Sequence, residues 1–505
     1  MIKLIYRIES DYMSKKRMLI VTSVTLSVVT ISLGIVKLYQ TYALSNYIGT
    51  VTDTGIDVYI NDDSYASIPA NGSSNVYYML TNTNPGTVKY GVAYQTTSGV
   101  TVKVYDTSED PATGTIEEND KKYIKLHLEN KNSTNKTIEL STVLGYENGG
   151  DLVVPSGVTL VTDTYTPPPT AAEYITKLYT TASKTTVTNN SITYNTAPSV
   201  SLMNDRLGGT TTDLDGGNIR YYGASPNNYI YFNCSDYSNQ TSSTCETWRI
   251  IGVFNGKLKI IRGSQIGTYS WDNKDTSTGA ESNFGKNDWT TARLMKLLNP
   301  SDYYTTDSND NNLGQGLYYN SASGKCYSGQ NNATVDCNFT STGIKNDITR
   351  NMIAETTYNL GGWNSNSVYS NQIYEYERGT TVYTGRPTTP WTGKIALAYP
   401  SDYGYAADLN QCKDKILKDY DNSTCTSNNW MKAIITNNGS SLGWLLTPHS
   451  SYSHSVWSVY SSGYVIYRSA YNVIGVVPVL SLSSKLGIEP GSGDGSSSNP
   501  YKLSA

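Results

Sequence analysis

Tyr452, His454, Ser455, Ser458, Tyr460, Tyr464, Tyr467, Arg468, Ser469, Tyr471 and Asn472 crowd into one stretch of a 505-residue chain. Tyrosine brings a large rigid ring with a hydrogen-bonding tip, and serine and asparagine bring adaptable hydrogen bonds, which is the chemistry of a recognition surface. Trp444, Leu445, Leu446, Val456, Trp457, Val459, Val465, Ile466, Val476, Val477, Val479, Leu480 and Leu482 alternate with the polar set. Such alternation predicts short strands with one face in a core and the other presenting the polar residues.

Reaction chemistry is harder to assemble. His449 and His454 are candidate bases, but a base needs a nucleophile and an orienting partner within hydrogen-bond reach, and no residue pattern supplies them. Glu375, Glu377, Arg378 and Arg386 read as a solvated loop face. No catalytic residue and no cofactor is therefore assigned. The chain has three histidines and no CxxC, so no metal site is assigned either. Asp307, Asn309 and Asn311 match the first, third and fifth positions of a calcium loop, but Asn312 stands where glycine is needed and Tyr318 where glutamate is needed, so this is a polar turn. The net charge of −4 leaves no polybasic footprint and argues against nucleic-acid binding.

The order Trp-Leu-Leu-Thr-Pro (444–448), Val-Trp-Ser-Val (456–459), Ser-Gly-Tyr-Val (462–465) and Gly-Val-Val-Pro-Val-Leu-Ser-Leu (475–482) resembles the C-terminal end of C-type lectin-like domains. The subgroup is the formylglycine-generating-enzyme-like one, which includes the variable proteins of diversity-generating retroelements. Val477 departs from the arginine that usually precedes proline in that family's final strand. The resemblance implies an α+β lectin-like fold in a bacterial or phage-encoded surface protein, with the polar set of 452–472 as a mutagenised ligand-binding face. The Glu-Pro-Asn or Gln-Pro-Asp triplet of calcium-dependent sugar binding is absent, Glu489-Pro490-Gly491 not being one. The enzymatic relatives use their own thiols, so a surface hydrolase or thiol oxidase is the alternative reading, with structural surface-layer material as a third.

The remaining chain must hold that face in place. Met18–Val36 runs nineteen residues without a charge after Arg7, Lys15, Lys16 and Arg17. That predicts a signal anchor at 18–40, a single pass with a cytoplasmic tail at 1–17 and the bulk outside the cell, in preference to a signal peptide cleaved after Ala43. The cysteines fall in three local clusters, Cys234 and Cys245, Cys326 and Cys337, Cys412 and Cys425, which agrees with export and local disulfides. Residues 49–163 carry short alternating runs, predicting an immunoglobulin-like β-sandwich that serves as a stalk, with His127 on its wet face. Pro167-Pro-Pro169 opens a linker and short helix at 164–184, and 185–505 forms the ligand-binding domain. Helices are predicted near 289–299, with Asn287 or Asp288 as the cap, 348–358, 409–418 and 429–437. The expected partners are the membrane, through the N-terminal helix, and an unidentified protein or glycan outside the cell.

Overall fold

A computed structural model describes residues 44–504, apart from 53–54, 60–64, 83–85, 107, 146–151, 275–283, 307–311, 380, 384–385, 388–389 and 490. The predicted span Met18–Val36 and the calcium-like turn at 307–311 lie outside these residues. The fold class needs one correction. Among the described residues no helix is long and apolar enough to cross a membrane. The longest, Ala171–Thr181, has 11 residues, which at 1.5 Å per residue covers about half of a roughly 30 Å hydrocarbon layer. The described fold is mainly β, with several sheets and short helices, and the transmembrane helix is not part of it.

The chain divides into two compact units, Met1–Pro167 and Pro168–Ala505. The first contains a six-stranded sheet, ordered 164–165, 100–105, 121–130, 72–82, 44–52 and 55–59, and a second sheet ordered 158–160, 88–95, 136–145 and 65–68, with 113–116 also on 88–95. Period-two alternation turns Val76, Tyr78 and Leu80 of one sheet, with Ile124, Leu126 and Leu128, toward the same core as Val88, Tyr90 and Val92 of the other. Each such side chain, fully buried, contributes roughly 1.5–3 kcal/mol. His127 is not on a wet face. It is buried, stacked on Tyr165 at 3.6 Å and hydrogen-bonded through Nδ1 to Asn75 Oδ1 at 2.7 Å. The reason is that Tyr105 and Tyr165, on the 100–105 and 164–165 strands, cover that face.

In the second unit Ala171–Thr181 is fixed by a capping box between Thr170 and Glu173 and buries Ile175 and Tyr179 in the main core. The principal sheet runs 185–189, 192–197, 202–204, 219–221, 246–254, 257–262, 479–481 and 395–396, with 229–232 also on 246–254. A second sheet runs 268–269, 474–475, 443–448, 455–459 and 465–469. Trp248, Trp271, Trp289, Trp444 and Trp457 are fully buried. All six cysteines form local disulfides, Cys234–Cys245, Cys326–Cys337 and Cys412–Cys425.

The helices are shorter than predicted. The first is confined to Arg293–Leu298, because Asp288 receives the Thr290 N–H and closes a turn instead of capping the helix. The second ends at Met352, and the β-branched Thr356 and Thr357 continue into a strand, Thr356–Tyr358, paired with Trp391–Gly393. Residues 409–416 are turns and coil, followed by a single 3₁₀ turn at Leu417–Asp419. Asn429 does cap Trp430–Ile435, accepting from Met431 N–H at 3.1 Å. Ser370–Glu377 and Pro400–Tyr405 are helices that periodicity did not announce.

Candidate functional site

The polar set sits on a hairpin at one end of the second sheet. Ser455–Val459 pairs antiparallel with Val465–Ser469 in a register that opposes Trp457 to Tyr467 and Ser455 to Ser469. Gly463, at φ +118°, lets its N–H return to the Tyr460 carbonyl at 2.8 Å, and Tyr460 N–H reaches Tyr464 at 2.8 Å, which closes the turn. Val465–Ser469 is the sheet's edge strand. Ahead of the hairpin, loop 449–454 folds back over it.

Tyr452, His454, Ser455, Tyr467, Arg468, Ser469 and Asn472 line a shallow depression of about 440 Å³. Tyr452 is 47% exposed and Tyr467 is 37% exposed, with ring centroids 5.9 Å apart. Tyr471 lies beside this group, 5.5 Å from Phe284, whose other neighbour is His454 at 5.0 Å. Tyr460 and Tyr464 stack on each other at 4.9 Å toward the turn, and the Arg468 guanidinium lies 5.8 Å from the Tyr460 ring, joining the two clusters. Two residues are placed otherwise than the alternation suggested. Ser458 is fully buried and donates to the Ile466 carbonyl at 3.2 Å. Ser455 borders the depression but is itself only 4% exposed, because its side chain shares the Trp457 side of the hairpin.

Beneath the exposed tyrosines lies a rigid aromatic layer. The His449 ring is 4.4 Å from Tyr467, 4.8 Å from Tyr452 and 5.7 Å from Trp457. Burial pushes its pKa down to about 4, the Asn364 backbone hydrogen bond working in the opposite direction and His454 adding to the depression. Its Nδ1 accepts the Ser451 N–H at 3.1 Å, so the ring is a neutral structural acceptor that holds the loop. Thr447 Oγ1, Ser453 Oγ and Trp457 Nε1 are buried in the same region and meet no hydrogen-bond partner among the described residues. Unsatisfied groups of this kind are uncommon and cluster where water or a ligand completes the bonding.

Asn287, which reads in the sequence as a helix cap, organises this loop instead. Its Nδ2 faces the carbonyls of His449 at 3.0 Å, Tyr452 at 2.8 Å and Ser455 at 2.8 Å, while its N–H donates to Ser453 at 2.7 Å. Gly285, two residues earlier, has φ +78°, and a Cβ there would stand 2.2 Å from the Asp272 carbonyl, so only glycine admits this path. No local pattern signals either role. The cap reading failed because Asn287's partners lie more than 160 positions away. Glu377, read as part of a solvated face, is fully buried, receiving Ser401 N–H and Oγ–H and lying against Arg378.

Chemically the depression offers phenol rings, a guanidinium, amide and hydroxyl groups around a neutral floor, which suits non-covalent recognition. Among the described residues no group of three or more His, Cys, Asp or Glu side chains is disposed to hold a metal ion. No protein-family model matches the chain, and no curated protein matches it in sequence. Among solved structures, envelope protein VP37 of White Spot Syndrome Virus is similar over 21% of this chain and 97% of its own, at 17% identity and a TM-score of 0.13. A likeness of that size carries no argument about fold or function.

Proposed function

We propose that the protein is an exported ligand-binding protein whose C-terminal unit presents a Tyr/Ser-rich recognition surface on a C-type lectin-like scaffold, directed at a protein or glycan outside the cell. The observation that carries this reading is the pair Tyr452 and Tyr467, solvent-exposed over a floor of His449 and Trp457 and bordering a shallow depression. Rigid aromatic anchors with adaptable polar neighbours are the residues that dominate binding energy in recognition surfaces. Three disulfides support an oxidising destination. With every cysteine paired, the display reading is favoured over a thiol oxidase.

The test is binding of the purified protein to arrayed glycans and to immobilised surface-protein extracts, comparing wild type with a Tyr452→Ser/Tyr467→Ser double variant. The expected result is a wild-type signal that the variant loses with its thermal midpoint retained. An equal signal from both would sink the assignment of this face. Diversification of the same residues is checked on the neighbouring DNA, where a near-copy of the codons for 444–482 beside a reverse-transcriptase gene is expected.

A further inference from the structure

A larger cavity in the same unit, about 750 Å³, shares no lining residue with the tyrosine depression. It lies over the principal sheet between the hairpin tip at Phe254–Lys257, the Thr356–Tyr358 strand and the helix Ser370–Glu377. Its size falls within the range of small-molecule sites.

Two features of its wall point to a ligand. Thr356 and Tyr358 sit at alternate positions of one strand, so their side chains leave it on the same side. Both line the cavity, and both hydroxyls are shut from solvent without a hydrogen-bond partner among the described residues. Tyr358 is only 3% exposed. Leaving such groups unpaired is destabilising, a cost that a bound polar molecule removes.

The second feature is a prearranged cation. Arg378 lies with its guanidinium 3.4 Å from the Tyr374 ring, and one nitrogen donates to the Tyr374 carbonyl at 2.9 Å, which fixes the plane of the group beside the cavity. The neighbouring cation, Lys259, is committed to Asp402, which also receives Arg220 at 2.8 Å. Lys257 gives its ammonium to the Glu355 carbonyl at 3.0 Å. Among the described residues Arg378 has a salt bridge only to Glu377, at 3.3 Å through one nitrogen. Its remaining donors can take the paired oxygens of a carboxylate or a phosphate.

We infer that this cavity binds a small hydroxylated carboxylate of the uronic-acid class, its carboxylate on Arg378 and its hydroxyls on Thr356 and Tyr358. The aromatic walls, Phe254, Tyr358 and Tyr399, give the carbon skeleton an apolar contact.

The experiment is titration calorimetry on the full chain with sodium glucuronate, glucose and inorganic phosphate. Saturable binding of glucuronate is expected, with glucose weaker by about tenfold or more for want of the charge-assisted contact, and phosphate weaker by about tenfold or more for want of the hydroxyl contacts to Thr356 and Tyr358 and of the apolar contact with the aromatic walls. Arg378→Gln should reduce glucuronate affinity by a similar factor, and Tyr358→Phe should reduce it several-fold while leaving the thermal midpoint at or above the wild-type value. Absence of saturable glucuronate binding, equal binding of glucose or phosphate, or unchanged affinity in Arg378→Gln would each overturn the assignment. Should Arg378→Gln not fold, Arg378→Lys and Tyr358→Phe decide: an affinity unchanged in both overturns it, and a loss in either sustains it.

Discussion

The Asn287 side-chain amide donates to the Tyr452 carbonyl at 2.8 Å across 165 residues of sequence. Through it, a segment far upstream sets where an exposed tyrosine stands. Asn287→Ala leaves the carbonyls of His449, Tyr452 and Ser455 without that donor, so a loss of about 2–4 kcal/mol is expected from several buried hydrogen bonds. Asn287→Asp should be at least as damaging, because a carboxylate would face three acceptors. Chemical denaturation gives the stability change. Amide hydrogen exchange across 449–455 should show faster opening in both variants, and unchanged exchange would disprove the clamp.

Trp457 and Tyr467 oppose each other in the hairpin register, with ring centroids 6.0 Å apart at an edge-to-face angle, yet one is buried and the other exposed. Their substitutions should therefore separate. Trp457→Ala is expected to cost about 3–5 kcal/mol through its cavity. Tyr467→Ser should stay within about 1 kcal/mol in stability while removing a contact ring from the surface. Urea titrations of the two variants check the contrast.

His449 carries a pH dependence. Its folded pKa of about 4 lies below its ordinary 6.5, so the unfolded chain binds the proton more readily. Its contribution is complete above pH 6.5 and is lost as pH falls toward 4. The loss is of order 2 kcal/mol, with solvent screening of the ring allowed for. Asp402, held down to about 2 by Lys259 and Arg220 against its own burial, loses its contribution only below the ordinary value of 3.8. Stability of His449→Gln minus wild type, measured from pH 7.5 to 4, should isolate the histidine slope; a constant difference would refute it.

Glu377 runs the other way. Burial raises its pKa from 4.5 to about 7, partly offset by Arg378 and Ser401. The folded state then holds the proton more tightly, so stability is highest below pH 4.5 and declines as pH rises to about 7, by roughly 3 kcal/mol. Glu377→Gln cannot ionise and should flatten that decline. Denaturation of wild type and variant at pH 4.5, 6 and 7.5 tests it, an unchanged slope being the adverse outcome.

Legibility in the sequence followed the range of the interactions. Strand alternation at 76–80, 88–94, 100–105, 122–128 and 137–144 was visible because side-chain direction is set by adjacent residues. The cysteine pairs were visible because each closes a loop of little more than ten residues. The same local logic failed for His127, whose covering ring is Tyr165, for Ser458, buried in its own hairpin, and for the C-terminal end of the helix expected at 348–358, which stops at Met352 and gives way to a strand that meets Trp391. Asn287 and Glu377 were misjudged for one reason: their partners arrive from elements distant in sequence.

The Val465–Ser469 strand has a strand neighbour on one side only among the described residues, and on the other the Asn366 amide covers its Val465 carbonyl at 2.9 Å. Bare sheet flanks template self-association, and an outlying charge is a common safeguard. Arg468 is the only charged residue of that strand. Exchanging it for a neutral side chain would then trade colloidal solubility for altered surface chemistry.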